Sequence, residues 1–488
     1  ISKNKKNNYW ILVLMIIDSI KQINFTPDFT IIGSGPASLT LAMALENKGL
    51  TSIIFEAGNL DPSDESQNFY IGEVVGDPYF ELNASRLRCF GGTSQHWSGW
   101  CRNLQDRDFE SWPISKSDLD PYLSEACDIL EISNVFKEKK ISNFINQVNF
   151  NFSPPVRFNR KYFERIKNSK KIGILFETPL LKIIGNDKNL AENISIYNNG
   201  EIKNFNVKNL IIGCGGIENS RILLWSKQIA NNNFLKNINP GHFWFEHPHY
   251  NVGKFVGDFR KVKKLFDQDF SNGNEIFLTL NDKFIKQNSI RSNSIRFKYQ
   301  HSEDFINQTL FEIQCQGPQY AKKLTDLLKK NYACFYDIKM VWEQIPIKEN
   351  KVILSKTKKD NHNIPSVVLN WKKIKEDSKT PLTCLENLGS YFVKNEIGRV
   401  SIYDFIKDQD NKYPDDDNIA GNHHMGGTRM GDSEKNFDVV DRNLKVLGSP
   451  NLYVVGSSVF RTGGYANPTL SIVQLSLRLA DHLSKILT

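Results

Sequence analysis

No C-x-x-C pair occurs in this chain, although it holds 7 Cys in 488 residues. Cys89, Cys101, Cys127, Cys214, Cys315, Cys334 and Cys384 are odd in number and offer neither a zinc site nor a disulfide framework. A reducing compartment is the expectation, so cytoplasmic placement is favoured, with periplasmic or membrane-peripheral placement left open. Long apolar runs are missing too. Tyr9–Ile17 follows Lys3, Lys5 and Lys6 as the core of a secretion signal would, but it is too short to span a bilayer. No small-x-small cleavage site follows it before the first predicted strand, and no transmembrane span is expected. There is no internal repeat and no long low-complexity linker. The net charge is +8, yet Lys is scattered among acids, with only short runs such as Lys139–Lys140 and Lys358–Lys359. Nucleic-acid binding needs clustered basic residues with exposed aromatics, so the excess reads as a solvated surface. Metal ligands are sparse as well. His247 and His249 flank Pro248 with no nearby Cys or third ligand, and read as structural.

What is present suits a folded enzyme: 40% apolar and 11% aromatic residues. The length points to two domains, or one large domain with an insertion. Phe29–Ile32 reads as a short buried strand, followed by Gly33-Ser34-Gly35-Pro36-Ala37-Ser38. Leu39, Ala42, Met43 and Leu45 then recur at helical spacing, Gly49 ends the helix, and Thr51–Phe55 is a second strand ending at Glu56. This is a βαβ unit. Gly33 permits a tight turn. Gly35 lets backbone approach a pyrophosphate seated on the helix N-terminus, and Ser38 keeps the third position of G-x-G-x-x-G small. Glu56, with Ala57 beside it, offers a carboxylate to ribose hydroxyls. The unit predicts dinucleotide binding without separating FAD from NAD.

Leu210–Ile212 reads as another strand, followed by Gly213-Cys214-Gly215-Gly216 and a helix over Ile217–Ser226. Cys214 reads as a small buried filler. Farther on, Ile276–Leu280, Ser294–Tyr299, Leu310–Gln314, Lys351–Leu354 and Ser366–Leu369 suit an antiparallel sheet. An amphipathic helix is expected over Tyr320–Leu328 and a turn at Asp415-Asp416-Asp417. Asn451–Val455 is a strand ended by Gly456-Ser457-Ser458. Asn467 then stands at an N-cap position, with Pro468 first in a helix whose inner face is Leu470, Val473, Leu477 and Ala480. The predicted fold is α/β plus an antiparallel sheet. A discontinuous Rossmann-like FAD-binding domain takes residues 28–129, 156–235 and 423–488. It follows an extension over 1–27, carries a loop or lid at 130–155, and receives a substrate domain at 236–422.

Three further segments belong together: RLRCFGGTSQHWSGWCRNL at Arg86–Leu104, NLIIGCGGIENSRILLWS at Asn209–Ser226, and HHMGGTRMG at His423–Gly431 with its continuation Asn451–Gln474. Weaker likenesses lie at Phe243–His249 and Glu343–Pro346. The ordered set, from Asp28 to Leu483, resembles the glucose–methanol–choline (GMC) flavoproteins, in the branch containing pyranose oxidase and fructose dehydrogenase. Met15-Ile16-Ile17-Asp18 resembles the opening of many bacterial members, so residues 1–14 are expected to lie upstream of the natural start. The resemblance implies FAD, held in part by Gly91, Gly92, Thr93, Ser94, His96, Trp97, Cys214, Gly215, Gly456, Ser457, Pro468 and Thr469. It also implies two polar residues facing the flavin: His424, from an H-x-x-G-T segment, and Asn467. Ser94-Gln95-His96-Trp97 resembles a segment whose His is linked covalently to flavin; packing of His96 on the ring without a bond is the alternative.

The activity so implied is oxidation of an alcohol, a sugar or polyol, with a dehydrogenase favoured over an oxidase and a quinone, haem partner or oxygen as acceptor. An imidazole can take the hydroxyl proton, and an Asn amide can donate to the developing alkoxide without competing for that proton. The positive end of the last helix favours a reduced, anionic cofactor. His423 as the base, and Asn467 as a mere helix cap, are the open alternatives. A lyase or photodecarboxylase on the same fold, and a non-catalytic flavin-binding protein, are the rival readings.

Overall fold

Short apolar runs, three of them closed directly by Gly33, Glu56 and Gly213, build the centre of the molecule. The computed structural model describes residues 17, 19–23, 26–154, 156–257, 259–266, 276–299, 335–408, 413–414 and 419–487. A five-stranded sheet runs in the order Leu452–Val454, Leu210–Ile212, Phe29–Ile32, Ser52–Phe55, Ile172–Leu175, and every neighbouring pair is parallel. All these strand residues are buried, as in sheets covered on both faces. The register puts Ile32 beside both Ile212 and Phe55. Helix Pro36–Asn47 buries Leu39, Ala42, Met43 and Leu45. Gly49, at φ +86°, ends it, and the Leu50 amide donates back to Leu45 O at 3.0 Å, the signature of a glycine-terminated helix. The last helix, Thr469–Leu487, packs on this first helix and buries the predicted Leu470, Val473, Leu477 and Ala480.

A second sheet has seven strands among the described residues. Its antiparallel order is Gly398–Ile402, His249–Gly257, Phe335–Trp342, Asn293–Tyr299, Ile276–Leu280, Ile145–Val148, Glu138–Lys140. Helix Lys375–Lys394 covers it with Cys384, Leu385, Leu388 and Phe392, the last with its ring 4.7 Å from that of Phe255. Among the described residues, no helix is long and apolar enough to cross a membrane.

Several expectations change here. Residues 130–155 are not a loop: Glu138–Lys140 and Ile145–Val148 form one edge of the seven-stranded sheet. An edge needs few apolar residues, and only Ile145 and Val148 of the latter strand are buried, which is why the stretch reads as polar. Lys351–Lys359 and Pro365–Trp371 do not join that sheet. They form a hairpin extended by Glu73–Gly76, which pairs parallel to Pro365–Trp371. Neither partner carries a pattern that announces so distant a pairing. Asn467 is not the cap of the last helix, because the first helical bond runs from Ile472 N to Pro468 O at 2.9 Å. The expectations at residues 1–14, Leu310–Gln314, Tyr320–Leu328, Asp415-Asp416-Asp417, Cys315 and Cys334 lie outside the described residues.

Candidate active site

The carboxyl ends of the parallel strands meet along one edge, because each following residue bonds to the neighbouring strand. Gly33 N reaches Phe55 O, Gly213 N reaches Ile32 O, and Val455 N reaches Ile212 O, all at 2.9 Å. Ligands of such sheets bind in the crevice outside these ends. Here the loops enclose a cavity of about 540 Å³, lined by every site residue expected from the sequence except Ser38 and Gly91. Ser38 lies beneath, with its Oγ donating to Gly213 O at 3.3 Å. Gly91, at φ +79°, packs on Asn159, whose backbone N would lie 2.7 Å from an added Cβ.

The glycine turn suits a dinucleotide. Gly33 has φ +87°, and a Cβ there would press within 2.8 Å of Gly213 O. At Gly35 and Gly215, by contrast, a Cβ would meet nothing within 4 Å, so the backbone faces open space beside the starts of two helices. Such termini present free amides to an anion. Glu56 closes the turn: it accepts from Ser34 N at 2.9 Å, Ser34 Oγ at 2.5 Å and Gly58 N at 2.8 Å. The Gly92–His96 stretch is held from outside by Arg157, which donates to Ser94 O at 2.9 Å and Trp97 O at 2.7 Å. His96 and Trp97 thereby line the cavity, and burial, with Arg157, lowers the His96 pKa. Cys214 is half-buried, packed against the main core on one side and lining the cavity on the other.

Other residues were not singled out beforehand, although Arg86, Glu218, Asn219 and Arg221 lie within the quoted segments. Asn219 is fully buried; its Oδ1 takes Cys214 N at 2.7 Å, while Nδ2 donates to Val455 O and Ser458 Oγ, both at 2.9 Å. It ties two of the strand-end loops together. A buried ion chain runs Arg86–Glu218 (2.8 Å), Glu218–Arg221 (3.2 Å), Arg221–Asp360 (2.6 Å). Burial alone would raise the Glu218 pKa, but Arg221 and Arg86 outweigh it and hold it low. The advance signal was the resemblance carried by the Arg86–Leu104 and Asn209–Ser226 segments, which did not say what these side chains do.

At the far end stand the imidazoles. His424 is buried, and its Nε2 has no hydrogen-bond partner among the described residues. Its ring lies 5.8 Å from that of Trp244, and its carbonyl accepts from Ser457 Oγ at 2.6 Å. Burial, helped by Arg86, lowers its pKa to about 3. The structure brings Asn467 to the neighbouring His423, with Nδ2 3.0 Å from His423 Nε2. His423 Nδ1 in turn lies 2.8 Å from Nδ1 of His247. Burial lowers the His423 pKa to about 4 and that of His247 well below the ordinary range. Glu246 sits behind this segment. Its carboxylate takes the Tyr79 hydroxyl and the His247 amide, and burial raises its pKa to about 7. Among the described residues, no group of three or more His, Cys, Asp or Glu is arranged to hold a metal ion.

Comparison with known proteins agrees with this architecture. A family model described as GMC oxidoreductase matches residues 346–476. The fructose dehydrogenase large subunit of Gluconobacter japonicus is 22% identical over 93% of this chain and 97% of its own. The 2-methyl-1,2-propanediol dehydrogenase of Mycolicibacterium austroafricanum is 28% identical over 30% of this chain and 24% of its own. Among solved structures, pyridoxine 4-oxidase from Mesorbium loti superposes with a TM-score of 0.57 at 12% identity, covering 94% of this chain and 99% of that one. Formate oxidase gives 0.53 at 15%, covering 94% and 98%. At such identities the structural likeness concerns the fold. The class is that of the oxidoreductases. Residues 346–476 are similar to the GMC oxidoreductase family, whose members imply FAD as cofactor.

Two outcomes follow. Gly35→Val should fold, since its side chain points into open space, but should load no dinucleotide; normal loading, read from the visible spectrum, would move the pyrophosphate elsewhere. The second concerns pH. His423 and His424 titrate near 4 and 3 when folded, below the unfolded value of 6.5. Their contribution to stability is therefore full above 6.5 and is lost as pH falls toward those folded values. Glu246, raised to about 7, acts oppositely: its share is present below 4.5 and lost as pH rises through 7. The melting temperature should fall on acidification below about pH 6.5, and should fall less in His424→Leu.

Proposed function

We propose that the chain is an FAD-dependent enzyme that oxidises an alcohol carbon of a sugar or polyol and passes the electrons to a quinone or haem partner in preference to oxygen. The Rossmann-like sheet edge would hold the cofactor, with Gly33–Ala37 at the pyrophosphate and Glu56 at the ribose. A bound flavin supplies the hydride acceptor. The observation that carries the reading is the unpartnered Nε2 of buried His424 in the cavity wall. A buried imidazole nitrogen without a partner is costly, and a substrate hydroxyl would satisfy it. The depressed pKa keeps His424 unprotonated at neutral pH, so it can take the hydroxyl proton. Asn467 has a second amide N–H beyond the one facing His423, and this can donate to the developing alkoxide. The names of the dehydrogenase relatives support a sugar or diol substrate and a dehydrogenase.

One observation favours a second reading. Asn467 touches His423, so His423 could be the base and His424 a packing residue. Anaerobic flavin reduction by a panel of alcohols and sugars separates the two. His424→Ala should keep FAD and slow reduction by ~10²–10⁴, while His423→Ala slows it less. The reverse order would make His423 the base, and no reduction by any alcohol would sink the activity itself. Asn467→Ala should cost ~3–4 kcal/mol in the reduction step. For His96 we adopt packing against the ring without a bond. Acid precipitation should then release all yellow colour, and colour left in the pellet, lost in His96→Ala, would show a covalent link.

A further inference from the structure

We propose that His247 is a positioning residue: its Nδ1 accepts the Nδ1–H of His423, which turns the His423 Nε2 lone pair to Asn467 and fixes the face that the Asn467 amide presents to substrate. This deepens the proposed reaction and rests on Asn467 acting in it.

With the Asn467 amide nitrogen turned toward His423, the three groups admit one proton arrangement. An amide nitrogen only donates, so His423 Nε2, 3.0 Å from Asn467 Nδ2, is an acceptor. A neutral imidazole then carries its proton on the other nitrogen. His423 Nδ1 is therefore the donor across the 2.8 Å contact, and His247 Nδ1 the acceptor. The His247 proton is left on Nε2. Burial keeps both rings neutral, so no second proton enters the contact.

His247 is built to hold still. It is fully buried, its amide donates to Glu246 Oε2 at 2.9 Å, and its carbonyl accepts from Gly421 N at 3.2 Å. Pro248 follows, and the strand from His249 begins at once. Gly463 packs on the ring's far side, where a Cβ would come within 2.6 Å of Nε2. The ring cannot swing away without moving the segment that leads to Asn467. Without this acceptor, His423 could take either tautomer and the Asn467 amide could turn over.

The test uses holoenzyme carrying ¹⁵N-histidine and long-range ¹H–¹⁵N spectra. In the unmutated protein the histidine signal abolished by His423→Ala should show a protonated Nδ1 and a bare Nε2, and the one abolished by His247→Leu a protonated Nε2. His247→Leu removes the acceptor. It should erase the Nδ1–H signature at His423 and lower kcat roughly 10-fold or more with KM little changed. His247→Asn puts Oδ1 where Nδ1 stood, and should restore the signature and most of kcat. A wild-type His423 protonated on Nε2, or an unaltered His423 spectrum in FAD-loaded His247→Leu, overturns the proposal, as does an unchanged kcat after the signature is lost. The tautomer is read without turnover. A protein with the expected tautomer and no alcohol oxidation therefore overturns the functional reading alone.

Discussion

The amides of Gly33, Gly213 and Val455 each complete a parallel ladder one residue beyond a strand. These bonds bring the loops after residues 32, 212 and 454 to a single edge, and everything chemical in the molecule hangs from them. Parallel strands bond at an even slant, so their ends stay level, and helices that begin just past those ends aim their free amides into one crevice. Asn219 then fastens the Cys214 loop to the Val455 loop with both ends of its amide. Asp360, His362 and Ile364 of the hairpin line another part of the cavity, and His247, at the entry to a strand of the seven-stranded sheet, stands behind His423.

Much of this was legible in the chain. The βαβ unit announced itself because its glycines, helical spacing and terminal Glu56 agree with one another, and the last helix because Leu470, Val473, Leu477 and Ala480 keep strict periodicity. The site residues named beforehand, Ser38 and Gly91 apart, line one cavity, and those at Gly33–Ala37, Glu56–Ala57, Cys214–Gly215 and Gly456–Ser457 do so because strand ends converge in such a sheet. Where pattern was weak, reading failed. The edge strand Glu138–Lys140 and its neighbour Ile145–Val148 hold too few apolar residues to announce a sheet. Glu73–Gly76 pairs with a hairpin some three hundred residues later, a contact to which no local signal points.

The imidazole end shows the limit most clearly. His423 and His424 are adjacent in a non-helical segment, so they face different ways, and a motif cannot say which of them meets Asn467. Only the fold shows Asn467 against His423 and His424 with its own nitrogen open. His247 was invisible for a different reason. A His beside a Pro suggests a metal or nothing, whereas its partner here is another imidazole brought in from residue 423.

The five-stranded sheet is stitched from both extremities of the chain, with residues 29–32 and 452–454 only one strand apart. During synthesis, the glycine turn and its helix leave the ribosome early but have no finished crevice to border. The closing strand and the wall with Asn467 emerge more than four hundred residues later. A nascent chain must hold Leu210–Ile212 unpaired on one side until Leu452–Val454, about 240 residues later, pairs with it. Loss of the last few dozen residues, by truncation or a late frameshift, would then leave an unsealed sheet edge exposed to self-association, and not merely a slower enzyme.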